Sequence, residues 1–494
     1  MLSFLFKLNS YISICKSIEF YKDIINTIVL KEYGVELSLD KFLEVVELVN
    51  NYINNIVWGP IMLIFFLFIG LMFTIRLGWF QILHIGLCFK TTIATLFNKN
   101  KDNEEGSKSI SSFQAMTTAL AGAIGTGNIV GVATAITLGG PGSIFWMWIA
   151  SFFGMMTIFA ENVLGIKYRQ KNKNGEWVGG PMYYIEKGLK NKFMATSFSI
   201  FCIMATLGMG NMAQANSIAG AMSESFFIDK RFTGIVLAIL VGIIIFGGTQ
   251  KIASFSEKIV PFMALFYITG GLVVIVYNHK LLPTVINDIF RGAFNFKSVF
   301  GGACGYTFFM SIKYGIARGV FSNEAGLGSS PIIYAAADTN EPVVQGMWGI
   351  FQVFFDTMVG CTITALCILL SGAVHHGYTG IALSVSAFEN VFGIYGSIFV
   401  SISIIMFAFA TIVGWSYYGE KSLEYLAGTK YTLVYKALYT IIITFACVMD
   451  INFVWSISDT FNGLMAIPNL IALLLLSKEV VNETNKYKST LGIK

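Results

Sequence analysis

The chain has 494 residues, 55% of them hydrophobic and only 12% charged, with a formal net charge of +5 and a mean hydropathy of +0.68. A soluble protein carries about 25% charged residues, so this composition excludes an ordinary soluble domain and fits an all-α polytopic membrane protein. The basic residues lie in short loops between apolar runs, where they orient a membrane protein, and not in a patch suited to nucleic acid.

In chain order, residues 1–56 mix apolar and charged positions, as in Ile18–Ile25 and Leu43–Val49. That pattern predicts amphipathic helices lying on the membrane or on the protein, and it does not read as a cleavable signal peptide. Eleven spans are then expected, at about 57–76, 112–138, 143–168, 197–225, 232–247, 256–278, 299–320, 343–372, 394–419, 432–449 and 452–477. Lys167, Arg169, Lys171 and Lys173 follow the third span. Lys478, Lys486, Lys488 and Lys494 fill the tail, and Arg76, Lys90, Lys99, Lys101 and Lys108 occupy the loop after the first. All fall on one side if the C-terminus is cytoplasmic and the N-terminus outside, in a multi-pass protein of the plasma (inner) membrane.

The second span is broken at its middle by Gly-Ala-Ile-Gly-Thr-Gly-Asn, Gly122–Asn128. Lipid offers nothing to the amides and carbonyls that such a break frees, so it survives only where protein or a bound solute satisfies them. Close helix packing through Gly127 and Gly131 is the competing explanation, but Thr126 and Asn128 add polar groups that packing does not need. A second interrupted run is expected in span 299–320, through Gly301, Gly302, Gly305, Gly315 and Gly319. With the first span (57–80) set aside, the remaining ten divide five and five, at 112–278 and 299–477, ahead of a tail at 478–494. Five is odd, so the halves have opposite topology, and paired interrupted helices are the sequence mark of a transporter built from inverted repeats. Two short amphipathic stretches, Gly180–Gly188 and Ile381–Glu389, recur after them.

The backbone groups that such a break exposes at mid-bilayer can hold charge of either sign. Amides around Gly125, Thr126 and Gly127 offer donors and a positive dipole end to a carboxylate. Carbonyls near Ala121, Ala123 and Ile124 can accept from an ammonium or coordinate a cation. Gln214 lies well inside a span, where an unsatisfied amide would cost ~1–3 kcal/mol, so it binds either substrate or another helix; Asn211 and Asn216 are expected to bridge helices. Lys313, next to Tyr314, is costly at a helix centre. It either borders the pocket at the expected break Ser311–Gly315, favouring a polar substrate such as glutamine, or pairs internally with Asp356 or Glu161. Arg318 and Glu324 form a candidate gate. Seven scattered cysteines and four dispersed histidines provide no nucleophile or metal set for an enzyme.

Seven motifs in order carry a resemblance: Phe113–Leu120, Gly125–Ala133, Gly139–Gly142, Gly179–Tyr184, Arg318–Gly328, Gly414–Glu420 and Met465–Leu470. The chain resembles the alanine/glycine:cation symporters of the amino acid–polyamine–organocation superfamily. The resemblance implies a leucine-transporter-type 5+5 inverted repeat with one additional N-terminal helix, and sodium-coupled symport of a small neutral amino acid. The implied partners are the amino acid, Na+ as coupling ion and the bilayer, with no other cofactor. It further implies a cation site holding Thr411 with the carbonyls of Ala121 and Ile124, although Ala410 stands where a second hydroxyl is common. Trp415, one turn on, then walls the cavity or serves as a buried scaffold aromatic. Proton coupling through Lys313 or an intramembrane acid is the alternative.

Overall fold

The computed structural model describes residues 39–97, 109–294, 303–449 and 451–492. The chain separates into two compact units, Met1–Val57 and Trp58–Lys494. The described part of the first is one helix, α1 (Leu39–Val57); the rest of the expected N-terminal extension, with Gly301 and Gly302 further on, lies outside the described residues.

Among its described residues the second unit is helical apart from one two-stranded hairpin, an isolated bridge between Ile110 and Ala337, and connecting loops. Helix α2 (Pro60–Arg76) and two short helical segments, Phe80–Leu83 and Ile85–Thr91, precede α3 (Ser112–Ala123), α4 (Val130–Gly139) and α5 (Ser143–Lys167). Strands β1 (Gln170–Lys171) and β2 (Trp177–Val178) pair antiparallel, Gln170 opposite Val178. Then come α6 (Pro181–Gly188), α7 (Lys192–Leu207), α8 (Ala213–Phe226), α9 (Lys230–Ile245), α10 (Gly248–Tyr277) and α11 (Leu282–Phe294). The second half holds α12 (Ala303–Asn323), α13 (Ser330–Tyr334), α14 (Pro342–Val353), α15 (Thr362–Leu370), α16 (Gly380–Phe392), α17 (Ile394–Ala427), α18 (Thr432–Ala446), α19 (Ile451–Leu475) and α20 (Ser477–Thr490). Helices α7 and α8 join through a π-helical turn, Gly208–Met212, and α14 and α15 through another, Phe354–Cys361.

Among the described residues, seven helices are long and apolar enough to cross a membrane, and the bent pair α3/α4 makes an eighth candidate. The sequence reading expected eleven spans. Helices α9 and α18 have 16 and 15 residues, about 24 Å or less at 1.5 Å per residue, short of the ~30 Å hydrocarbon core. Helix α12 is diluted by Lys313 and Arg318.

Two apolar clusters stand out among the described residues. One gathers Val132, Ile136, Met147, Ile289, Ile368 and Leu383, all buried. The other joins α8, α9, α17 and α18 through Ile218, Val241, Ile412 and Tyr439. Asn211 and Asn216 bridge helices as expected, donating to the carbonyls of Tyr439 (2.7 Å) and of Ala446 and Met449 (2.9 and 2.8 Å). The C-terminal segment is a helix whose Glu479 and Glu483 hold Lys167 at 3.0 and 3.1 Å.

The first break falls where the glycines place it, with the axes of its two helices 60° apart. The second does not. Helix α12 runs unbroken through Ser311–Gly315; its glycines serve packing instead. A Cβ at Gly315 would lie 2.7 Å from Trp146 Cβ, and one at Gly319 3.2 Å from Met147 Cγ, so both let α12 and α5 approach closely. The interruption comes after Asn323. There Glu324, Gly326 and Gly328 take φ of +61°, +92° and +82°, values that no α-helix accommodates.

Candidate functional site

At the first break the chain turns from α3 through Ile124 (ψ 89°) and an extended Gly125 into a short 3₁₀ turn, Thr126–Asn128. The amides that would continue the helix are diverted to side chains. Gly125 N donates to Asn128 Oδ1 at 3.1 Å, and Thr126 N donates to Gln214 Oε1 at 3.4 Å, instead of to the carbonyls four residues back. That leaves Ala121 O and Gly122 O without these helical partners, whereas the sequence reading named carbonyls near Ala121, Ala123 and Ile124; Gly122 O takes the Trp415 indole instead. Gln214 also accepts from Thr126 Oγ1 at 3.1 Å and donates to Met209 O at 3.2 Å. The structure thus gathers Gly125, Thr126, Gly127 and Gln214 at one buried turn, with Ala121 and Ala123 in the preceding helical turn.

Thr411 faces this turn from α17. Its hydroxyl lies 3.4 Å from Ile124 O and 3.0 Å from Phe407 O. Three oxygens from two helices therefore converge, the type of hard-ligand set that suits a small cation. Phe407 O is the carbonyl four residues before Thr411 in the same helix, so this contact is also the back-bond that helical threonines commonly make; it was missed in the sequence because a side chain does not announce what its carbonyl faces. Gly125 is obligatory here, since a Cβ on it would sit 2.6 Å from Thr411 Oγ1. Gly125→Ala is expected to displace Thr411, an overpacking of about 1–3 kcal/mol. Thermal unfolding of the purified protein should shift to lower temperature accordingly.

Trp415 links the two breaks. Its indole N–H is shared between Gly122 O (3.2 Å) and Glu324 Oε1 (2.9 Å), while Glu324 Oε2 accepts from Ser329 Oγ. It is a fully buried strut. Glu161, on α5, holds the same second turn. Its Oε1 accepts from Gly328 N at 3.0 Å and from Asn469 Nδ2 at 2.5 Å, and Asn469 also donates to Gly326 O at 2.9 Å.

A third buried carboxylate joins the breaks from the π-helical segment. Asp356 accepts from Asn128 Nδ2 (2.8 Å), Ser322 Oγ (2.8 Å) and Thr357 Oγ1 (2.7 Å). Asn128 and Ser322 come from the first break and from the end of α12. Extra residues in a π turn reset the helix phase, and such turns concentrate at functional sites.

Lys313 and Tyr314 are not brought to this centre. Lys313 lies ten residues before Asn323 in a continuous helix, about 15 Å along its axis, with its ammonium 5.6 Å from the Tyr314 ring centroid. Asp356 and Glu161 take the neutral partners described above, so neither pairs with it. Arg318 does not pair with Glu324; it meets Asp459 at 3.5 Å. That ion pair borders a cavity of about 480 Å³ whose wall includes Gly127, Gly131, Glu224 and Trp455. It lies beside the first break, against α4 and the middle of α12.

Residues 43–492 match the model of the sodium:alanine symporter family. The sodium/alanine symporter AgcS of Methanococcus maripaludis is 46% identical over 90% of this chain and 98% of its own length. The probable sodium/glutamine symporter GlnT of Bacillus subtilis is 38% identical over 90% of this chain and 91% of its own. YrbD of the same organism, a putative sodium/proton-dependent alanine carrier protein, is 38% identical over 88% and 91%. The chain is therefore a membrane transporter, not an enzyme, and belongs to the sodium:alanine symporter family.

Proposed function

We propose that this protein carries a small neutral amino acid, alanine or glycine, across the plasma membrane together with Na+, by alternating access around the two interrupted helices. The observation that carries the reading is the convergence of Ile124 O, Phe407 O and Thr411 Oγ1 beside a turn whose helical hydrogen bonds have been diverted. Na+ takes those oxygens with Ala121 O. The substrate carboxylate lies against the Gly125–Gly127 amides and Gln214, and its ammonium against the carbonyl ends near Ala123.

The supporting architecture is a 5+5 inverted repeat with one preceding span. Each half begins with an interrupted helix, at α3/α4 and α12/α13. A long helix and a short one follow, α5 with α6 and α14/α15 with α16, and then three more, α7/α8 to α10 and α17 to α19. On this reading 112–278 and 299–477 are the repeats. The basic loop after α5 and the C-terminal segment are cytoplasmic.

The test is uptake of labelled alanine, glycine and glutamine into proteoliposomes under imposed Na+ or H+ gradients. Alanine or glycine uptake driven by Na+ alone is expected; uptake that ignores Na+ and follows an H+ gradient refutes the coupling. GlnT, named for glutamine, favours a second substrate reading, and dominant glutamine uptake in the same experiment would establish it.

A further inference from the structure

The loop after α5 reaches α17 and the segment leaving α13 through polar side chains. On one flank it grips α17. The Lys421 side chain is 3% exposed, and its ammonium lies 3.1 Å from Glu176 Oε2 and 2.8 Å from Glu424 Oε2. Asn172 Nδ2 donates to Glu424 Oε1 at 2.7 Å and to Glu176 Oε2 at 3.1 Å. On the other flank Arg169 caps the chain leaving α13. Its Nη1 donates to Ala335 O (3.1 Å) and Ala337 O (2.6 Å), its Nη2 to Thr339 O, and its guanidinium stacks 4.1 Å over the Trp177 ring. That same segment is bonded to the entry of the first broken helix, through Ile110 N to Ala336 O (3.2 Å) and Asp338 N to Ile110 O (2.7 Å).

One hairpin therefore ties the outer end of α13, and through it the start of α3, to the end of α17. These are the half-helices lying on the hairpin side of the two breaks and the helix that presents Thr411. The opposite side of the first break borders the 480 Å³ cavity at Gly127 and Arg318. A solute leaving on the hairpin side would need this strap to release.

We propose that the Gln170–Val178 hairpin is the latch of the cytoplasmic exit, holding α17 to α13 until the amino acid and its ion are bound. The proposal rests on the transport reading and the orientation above. Lys421 is the bolt: its buried ammonium, shared between the hairpin's Glu176 and α17's own Glu424, loses one of its two carboxylates when the hairpin lifts.

The test uses the full chain in proteoliposomes with Asn172→Cys and Glu424→Cys joined by a short, reducible bis-methanethiosulfonate bridge. The bridged protein should lose net uptake at least tenfold, keep Na+-dependent stabilisation by the amino acid, and regain uptake on reduction. Full uptake with the bridge quantitatively formed overturns the latch, as does loss of amino-acid stabilisation together with uptake. Spin labels at Lys173→Cys and Lys430→Cys provide a second reading, in which adding Lys421→Met should populate a longer hairpin-to-α17 distance. An unchanged distance distribution counts against the latch. Na+-driven uptake by the unmodified protein separates the two ideas: present, only the latch is at stake; absent, the transport reading fails and takes the latch with it.

Discussion

With Thr411→Val, half-maximal amino-acid uptake requires roughly ten to a hundred times more Na+. Valine keeps the volume and branching of threonine but removes the one hydroxyl that faces Ile124 O and Phe407 O. A hydrogen-bond-strength contact to a charged group is worth about 1.5–3 kcal/mol, and each 1.4 kcal/mol is a factor of ten in affinity. The neighbouring Ala410 has no oxygen to compensate. The measurement is initial uptake against external Na+ at saturating substrate, with thermal unfolding as a control for folding. An unchanged Na+ dependence would remove Thr411 from the ion site. Thr411→Ser, which restores the oxygen, should recover most of the affinity.

Asn128→Asp is expected to destabilise the protein by about 3–5 kcal/mol, the cost of leaving a buried charge without its compensating partner. The native amide does two tasks: Oδ1 accepts from Gly125 N at 3.1 Å, and Nδ2 donates to Asp356 Oδ1 at 2.8 Å. Aspartate keeps the acceptor but turns the donor into a second carboxylate oxygen facing the first. Like charges at that distance cannot both ionise, so the variant should unfold at lower temperature at neutral pH and recover partly in acid, where one proton restores a donor. Detergent-solubilised thermal unfolding across pH checks this. A wild-type unfolding curve at pH 7 would mean that Asn128 does not support Asp356.

The first break was legible because glycines, a hydroxyl and an amide interrupt a run that must otherwise satisfy its own backbone in lipid. Gln214, Asn211 and Asn216 were legible as residues needing partners, and each has them. The second break was misplaced for a physical reason. Gly315 and Gly319 look like helix breakers in sequence, yet in contact with Trp146 and Met147 they are the small surfaces that let two helices touch. The signal that marked the true position was Glu324 with Gly326 and Gly328, a polar residue and two closely spaced glycines directly after Asn323. Lys313 drew attention because a lone lysine is costly in a span, but cost alone does not say where a side chain ends up.

The amino-acid sequence by itself determined that this is a helical membrane protein, that one of its spans is broken at Gly122–Asn128, and to which family it belongs. These follow from composition and local pattern, which act over a few residues at a time. Only the tertiary structure decided that Asp356 meets Asn128 and Ser322, that Trp415 straps Gly122 to Glu324, that Arg318 pairs with Asp459, and that a two-stranded hairpin holds Lys421. The partners in most of these contacts are separated by roughly 90 to 290 positions along the chain, and a side chain's chemistry states what kind of partner it requires without naming which one the packed helices will bring to it.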